Sequence, residues 1–204
     1  MKLIGLTGIS GSGKTYFSNQ LKNALGPQSL SVLSCDHYYK DLKEQTKDPN
    51  GFVNFDVPEA LKLNRLLQDI QTLKQGRPLS LLSYEFNNPQ APPRKLVILP
   101  RPILLIEGLF VMHINALLKQ LDLSIYLEVD AELTLKRRLT RDIKERGVPN
   151  DQVLYQWQNH VLPGFKKYIE PYKTQADLIL DSSKTLSAKE MNEIKKKIIS
   201  LRPI

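Results

Sequence analysis

The chain has 204 residues, 29 basic against 21 acidic side chains for a net charge of +8, and 41% hydrophobic residues. That length buries roughly 70% of the surface its unfolded form exposes, so a core forms without a covalent staple. A lone Cys35 and three histidines at no ligand-like spacing (His37, His113, His160) exclude a disulfide scaffold and a zinc module.

The N-terminal apolar run is short and ends in glycines and serines, without the long apolar stretch and cleavage site of a secretory leader. Residues 102–114, the longest apolar segment, are interrupted by Glu107 and fall short of the ~20 residues of a spanning helix. The expectation is a cytoplasmic protein. Short β-branched-rich runs at 3–7, 30–33, 103–106, 123–127 and 177–180 are expected as strands. Between them lie helical patterns. Phe17, Leu21, Ala24 and Leu25 recur at helical spacing before Gly26-Pro27, and Leu61, Leu63, Leu66, Leu67, Ile70 and Leu73 do so before Gly76. Near-continuous apolar strands separated by helices imply an α/β fold, a doubly wound parallel sheet of about five strands in one domain over 1–204.

Two stretches break that rhythm. Residues 79–99 are two strand-like runs joined by a Pro- and Asn-rich connection, which predicts a β-hairpin insertion. Residues 131–147 form a basic helical pattern stopped by Gly147 and Pro149, with a local excess of +3 in seventeen residues. Residues 1–60 are neutral overall, so the charge is concentrated there rather than spread as a nucleic-acid track. The C-terminal pattern Met191, Ile194, Ile198, Leu201 reads as a covering helix, not a membrane anchor. Cys35, Tyr155 and Trp157 read as packing residues.

Gly8-Ile9-Ser10-Gly11-Ser12-Gly13-Lys14-Thr15 satisfies G-x-x-x-x-G-K-[ST] between an expected strand and an expected helix, the context this phosphate-binding loop requires. Its glycines let successive N–H groups face phosphate oxygens, and the helix N-terminus adds about half a positive charge. Lys14 is expected to reach the β- and γ-phosphates, and Thr15 to place its hydroxyl on Mg²⁺. No Asn-Lys-x-Asp segment for reading guanine is present, and a small-molecule kinase is the leading class. In such sheets ligands collect at the carboxyl ends of strands. Asp36 and Glu107 follow two of them, the pair of carboxylates a kinase needs to accept the acceptor's proton and to hold Mg²⁺ or its waters. Helix capping or a solvated turn is the competing reading of each.

The segments GISGSGKT, Cys35-Asp36-His37-Tyr38-Tyr39, Asn54-Phe55-Asp56-Val57-Pro58, ILLIEG and RRLTRDIKERG together resemble the uridine kinase (uridine-cytidine kinase) family of P-loop kinases over nearly the whole chain. The resemblance implies a P-loop kinase fold with a helical lid at about 131–147, and phosphorylation of a pyrimidine nucleoside 5′-hydroxyl by ATP. It implies Asp36 as base and Thr15, Asp36 and Glu107 around Mg²⁺. It gives Asp56 the ribose hydroxyls and lines the nucleoside pocket with Tyr39 and Tyr84, Phe55 and Phe86 beside them. It sends Arg138 toward the acceptor and Arg141 and Arg146 toward the triphosphate, and it matches Gln156 to a pocket glutamine. Local pairing of these arginines with Asp142 and Glu145 is the competing reading of the basic helix.

The family pattern breaks at Pro89, where a base-reading His is usual, and at Val148, where a second lid Arg is usual. A kinase with another hydroxyl acceptor, such as a sugar phosphate or pantothenate-like compound, therefore stays open beside a nucleotide-binding protein without turnover. The expected partner is a small molecule, not nucleic acid or a membrane, and homo-oligomerisation is left open.

Overall fold

The computed structural model describes residues 1–86 and 92–202; Pro89 lies outside the described residues. Five parallel strands form the central sheet: β1 (Lys2–Gly8), β2 (Leu30–Ser34), β5 (Ile103–Glu107), β6 (Leu123–Glu128) and β7 (Leu178–Asp181), in the order β2-β5-β1-β6-β7. Their register sets Leu6 of β1 and Ser34 of β2 against Glu107 of β5, and Gly8 against Leu127 of β6. The chain runs from β1 to one side of the sheet and returns across it to β6. The crevice at the carboxyl end of β1 is thus the switch point where open α/β sheets bind ligands.

Both faces of this sheet are apolar because alternate residues of each strand point opposite ways. Ile4, Leu6, Ile103 and Leu105 join Phe17 and Leu21 of α1 (Lys14–Leu25), while Leu3, Leu104 and Ile106 join Leu66, Ile70 and Leu73 of α2 (Leu63–Lys74). Each such side chain contributes about 1.5–3 kcal/mol on burial. Helix α2 begins at Leu63, not at Leu61. Leu61 instead forms a β-bridge with Tyr39, with the Lys62 N–H donating to the Tyr38 carbonyl at 2.7 Å. The apolar periodicity continued past a boundary that a long-range backbone pairing sets.

The insertion is a hairpin, β3 (Leu79–Leu82) antiparallel to β4 (Lys95–Ile98). After β5 come the short α3 (Asn115–Leu118) and, after β6, the basic helix α4 (Ala131–Arg146). Asp130 caps α4, its carboxylate accepting from the Glu132 and Leu133 N–H groups, and Gly147 ends it at φ 64°, a left-handed turn that glycine takes without strain. Helix α5 (Asn150–Gln156) runs through a π turn at Trp157–Val161 into α6 (Leu162–Tyr168). The C-terminal α7 (Ala188–Ser200) buries Ile194 and Ile198 beside α1. Its lysines are not purely solvated, since Lys195 donates to the Ala24 carbonyl at 2.8 Å. Among the described residues no helix is long and apolar enough to cross a membrane.

The ends of β2 and β5 touch. A Cβ added at Gly108 would sit 2.5 Å from Cys35 Cβ and 2.8 Å from its sulfur. Gly108→Ala is therefore expected to lower the stability measured by urea unfolding by about 1–3 kcal/mol, through overpacking next to the two carboxylate-bearing strand ends.

Candidate active site

A cavity of about 570 Å³ opens at the carboxyl ends of β1, β2 and β5. One wall is the loop from Ser10 to Thr15 at the start of α1. Gly13 precedes that helix at φ 89° and offers no capping side chain, and the first turn has no acidic residue. Its free N–H groups and the positive end of the helix dipole therefore stay available to an anion. Gly11 also has φ 89° and lies where a Cβ would come within 3.0 Å of the Thr134 carbonyl, so α4 packs directly on the loop. Ser12 is fully buried and its hydroxyl has no hydrogen-bond partner among the described residues.

Lys14 turns its ammonium back to the Gly8 and Ile9 carbonyls, at 2.9 and 3.2 Å. Burial pushes its pKa down, while Asp36, Glu107 and Asp56 act the other way. Glu107 is 5% exposed, and its Oε1 accepts from the Thr15 hydroxyl at 3.3 Å. Its pKa is raised, first by burial and then by the charge of Asp36, against Lys14 and hydrogen bonds from Ser34 and Thr15. Asp36 sits in a single 3₁₀ turn after β2, its N–H bonded to the Ser34 hydroxyl at 3.3 Å, and lies on the cavity wall. The turn also buries Cys35, whose thiol pKa burial drives upward, the state of an inert packed side chain.

The opposite wall is α4. Asp142, 2% exposed, sits among three arginines: Arg141 Nε at 2.8 Å, Arg146 Nη1 at 3.2 Å and Arg138 Nε at 3.3 Å. Burial opposes its ionisation, but the hydrogen bond from Arg141 and the charges of Arg141, Arg138 and Arg146 outweigh burial and hold its carboxyl below the ordinary value. Arg138 also donates to the Ser10 hydroxyl at 2.8 Å, tying the helix to the phosphate-binding loop. The local-pairing reading of this helix thus holds for Asp142, and all three arginines still line the cavity. Arg146 lies over the Phe86 ring at 4.4 Å, on the hairpin side of the cavity.

Tyr39, Phe55 and Phe86 line the third wall as an edge-to-face cluster with centroids 5.2–5.6 Å apart. Tyr84 packs behind them, 4.9 Å from Phe86 and 5.5 Å from Tyr39, and is not itself a wall residue. Asp56 is 9% exposed, and its pKa is raised by burial against the charges of Arg138, His160, Lys14 and Arg141. Gln156 and Val148 complete this side. The cavity therefore joins an anion-binding loop, a carboxylate beside it, and an aromatic recess with its own carboxylate.

Residues outside the sequence motifs share these walls. Tyr16, Gln20, Arg137 and the loop 181–186 line the far end beyond the phosphate-binding loop, with Arg137 Nη2 donating to the Ser182 carbonyl at 2.8 Å. That loop follows β7, which ends in the acidic Asp181, so its place at the carboxyl end of a parallel strand is the signal that marks it. Val53 and His160 line the aromatic end, and nothing in the sequence pattern marks them.

Two outcomes follow from these charges. In Glu107→Gln the buried ionised carboxylate becomes neutral, so the ligand-free variant is expected to melt higher at pH 8, by about 2–4 °C, the shift that ~1 kcal/mol gives a chain of this length. Because the folded pKa is raised, the difference should vanish as the pH falls below the ordinary carboxylate value and wild type is neutral too. Asp142 has the opposite sign. Its stabilisation is present above the ordinary carboxylate pKa and is lost as the pH falls through the depressed folded value. Asp142→Asn leaves three guanidinium groups facing each other and is expected to cost about 3 kcal/mol in urea unfolding at pH 7.

Comparison with known proteins gives this arrangement a family. The sequence model of the phosphoribulokinase / uridine kinase family matches residues 3–188. Uridine kinases of Staphylococcus epidermidis and Staphylococcus aureus are each 35% identical over 178 residues, covering 87% of this chain and 86% of theirs. The fold is shared with the phosphoribulokinase of Rhodobacter spheroides, at 18% identity and a TM-score of 0.62 over 90% of this chain and 72% of that one. It is shared as well with D-glycerate 3-kinase of Cryptococcus neoformans, at 14% identity and a TM-score of 0.62 over 92% and 88%. The chain belongs to the phosphoribulokinase / uridine kinase family, as a P-loop phosphotransferase that acts on a hydroxyl acceptor.

Proposed function

We propose that this kinase transfers the γ-phosphoryl group of ATP, with Mg²⁺, to the 5′-hydroxyl of a pyrimidine nucleoside, uridine or cytidine. The observation that carries the reading is the aromatic recess of Tyr39, Phe55 and Phe86, with Asp56 buried in it and Asp36 between it and the phosphate-binding loop. Aromatic faces hold a base, and a buried carboxylate accepts from a vicinal diol. The curated relatives named uridine kinase support the same acceptor.

The residues fit the nucleotide and the metal. The orphaned Ser12 hydroxyl and the uncapped N–H groups of α1 are donors in want of an acceptor, as phosphate oxygens are. Among the described residues no cluster of three or more His, Cys, Asp or Glu side chains could cage a metal ion. Mg²⁺ needs no such cage, because it enters with phosphate oxygens and takes one or two carboxylates from the protein. Thr15, Glu107 and Asp36 would hold it, and bound there it neutralises charge on the transferred group.

Loop amides 8–15 and the Lys14 ammonium orient the β- and γ-phosphates. Asp36 accepts the proton as the acceptor oxygen bonds to the γ-phosphorus, and the bond to the β–γ bridging oxygen breaks to leave ADP. Arg138 and Arg141 stabilise charge on the transferred oxygens in a partly desolvated site. A carboxylate suffices as proton acceptor where the transition state is loose and positioning dominates. Arg146, stacked on Phe86, borders both acceptor and phosphates.

A second reading, another hydroxyl acceptor, draws on Val148, an apolar side chain in the recess where the resembled family carries a base-reading cation. An ATP-consumption assay over uridine, cytidine, the other nucleosides, sugar phosphates and pantothenate separates the two. Turnover with uridine or cytidine is expected, and Asp36→Asn should lower kcat by about 10²–10⁴ while ATP affinity stays within a few fold. Turnover confined to a non-nucleoside would replace the acceptor, and wild-type kcat in Asp36→Asn would remove that residue from the chemistry.

A further inference from the structure

The helical segment beside the acceptor recess is interrupted by the π turn at Trp157–Val161. Pro163 supplies the local reason, since it has no N–H to donate to the carbonyl four residues back, and a wider turn relieves the mismatch. His160 sits in that turn, 3% exposed, and forms part of the cavity wall.

Its imidazole is engaged from behind. His160 Nε2 lies 2.7 Å from Asp48 Oδ2, across 112 residues of chain, and the Tyr155 hydroxyl donates to the same oxygen at 2.8 Å. The other oxygen, Oδ1, accepts the Asn50 and Phe52 N–H groups at 2.9 Å each. Burial works against ionisation of Asp48, but hydrogen bonds from Tyr155, His160, Phe52 and Asn50 prevail and pull its pKa down to about 2. An ionised carboxylate only accepts, so Nε2 carries the proton. Asp48 starts a tight turn closed by the Lys47–Val53 bridge, and the residues that leave the turn include the wall residues Val53, Phe55 and Asp56.

Two further contacts join the same partners. The Phe52 and Tyr155 rings lie 4.8 Å apart. Gly164, one turn beyond His160, packs against the backbone of Asp56 so closely that a Cβ would fall 2.2 Å from the Asp56 carbonyl oxygen. The 46–56 segment is thus held at its tip by a part-buried hydrogen bond and at its base by a bare backbone contact, both from the one helical segment.

We infer that His160 is a positioning residue for the acceptor: with Asp48 it clamps the 46–56 segment to the helical wall and fixes the depth of Phe55 and Asp56 in the recess. This rests on the acceptor site proposed above, but the clamp can be read without any acceptor. Trp157 and Val161 of the same turn pack on Ile9 of the phosphate-binding loop, but among the described residues neither His160 nor Asp48 hydrogen-bonds to that loop, so loss of the pair is expected to weaken acceptor binding more than ATP binding.

The test compares His160→Phe, which deletes the donor at similar volume, with His160→Gln, whose amide can return a donor near the Nε2 position, and with Asp48→Asn. In the ligand-free protein, amide hydrogen exchange over residues 46–56 is expected to quicken about tenfold or more in His160→Phe and Asp48→Asn, with the rest of the chain unchanged. His160→Gln should recover most of the protection. With uridine as acceptor, KM for uridine should rise about tenfold in the same two variants while KM for ATP stays within about twofold, and the double variant should be no worse than the worse single one. Unchanged exchange over 46–56 would overturn the clamp, as would a rise in both KM values by one factor in step with a fall in Tm. If wild type leaves uridine untouched, the proposed acceptor falls while the exchange experiment still decides the clamp. If His160→Phe fails to fold, Asp48→Asn, a half-buried position on a largely exposed turn, carries both readouts.

Discussion

The ammonium of Lys14, drawn inward at the carboxyl end of β1, is the constraint around which the site is organised. Lys14 is half-buried, and an isolated cation drawn out of water is costly. Here it is offset by the Gly8 and Ile9 carbonyls and by the charges of Asp36, Glu107 and Asp56. Glu107 and Asp56 are themselves desolvated, their carboxyls both pushed up by burial. Asp56 in turn depends on Arg138. The groups form a mutually compensating set, so single charge removals at this end of the sheet are expected to change stability in either direction.

The same logic explains the basic helix. Three arginines on one helix face would repel one another, and a single buried carboxylate, Asp142, lets them share a wall. Arg138 then reaches the phosphate-binding loop through Ser10, and Arg146 reaches the hairpin through Phe86. The helix therefore couples the phosphate end of the cavity to the aromatic end by direct contacts. The excess positive charge of residues 131–147 is in this sense a local feature of one cavity wall.

Family membership fixes the class of reaction, and the acceptor is proposed to sit in the recess. Its polar groups are few: Asp56, Gln156, Arg138, Arg146 and the wall-facing His160, beside the apolar Val53 and Val148. A pocket of this kind selects by where its few polar groups are held as much as by what they are. Tyr155, Asn50 and Asp48 belong to that problem although Asp48 and Asn50 stand far along the chain from the helix.

The strands, the phosphate-binding loop, the hairpin and the basic helix were legible in the sequence because each is written in local pattern: apolar runs, a glycine spacing, a capped helical period. The acidic residues at the ends of β2 and β5 were legible for the same reason, each lying next to its own strand. What tertiary structure alone decided are the pairings between distant segments. The bridge between Tyr39 and Leu61 shortened α2, stacking order put Tyr84 behind the wall and Phe86 on it, and the ring of Phe86 drew Arg146. The Asp48–His160 pair joined two segments 112 residues apart. Such contacts arise from strand order and helix packing, and neither periodicity nor composition carries a trace of which residues will meet.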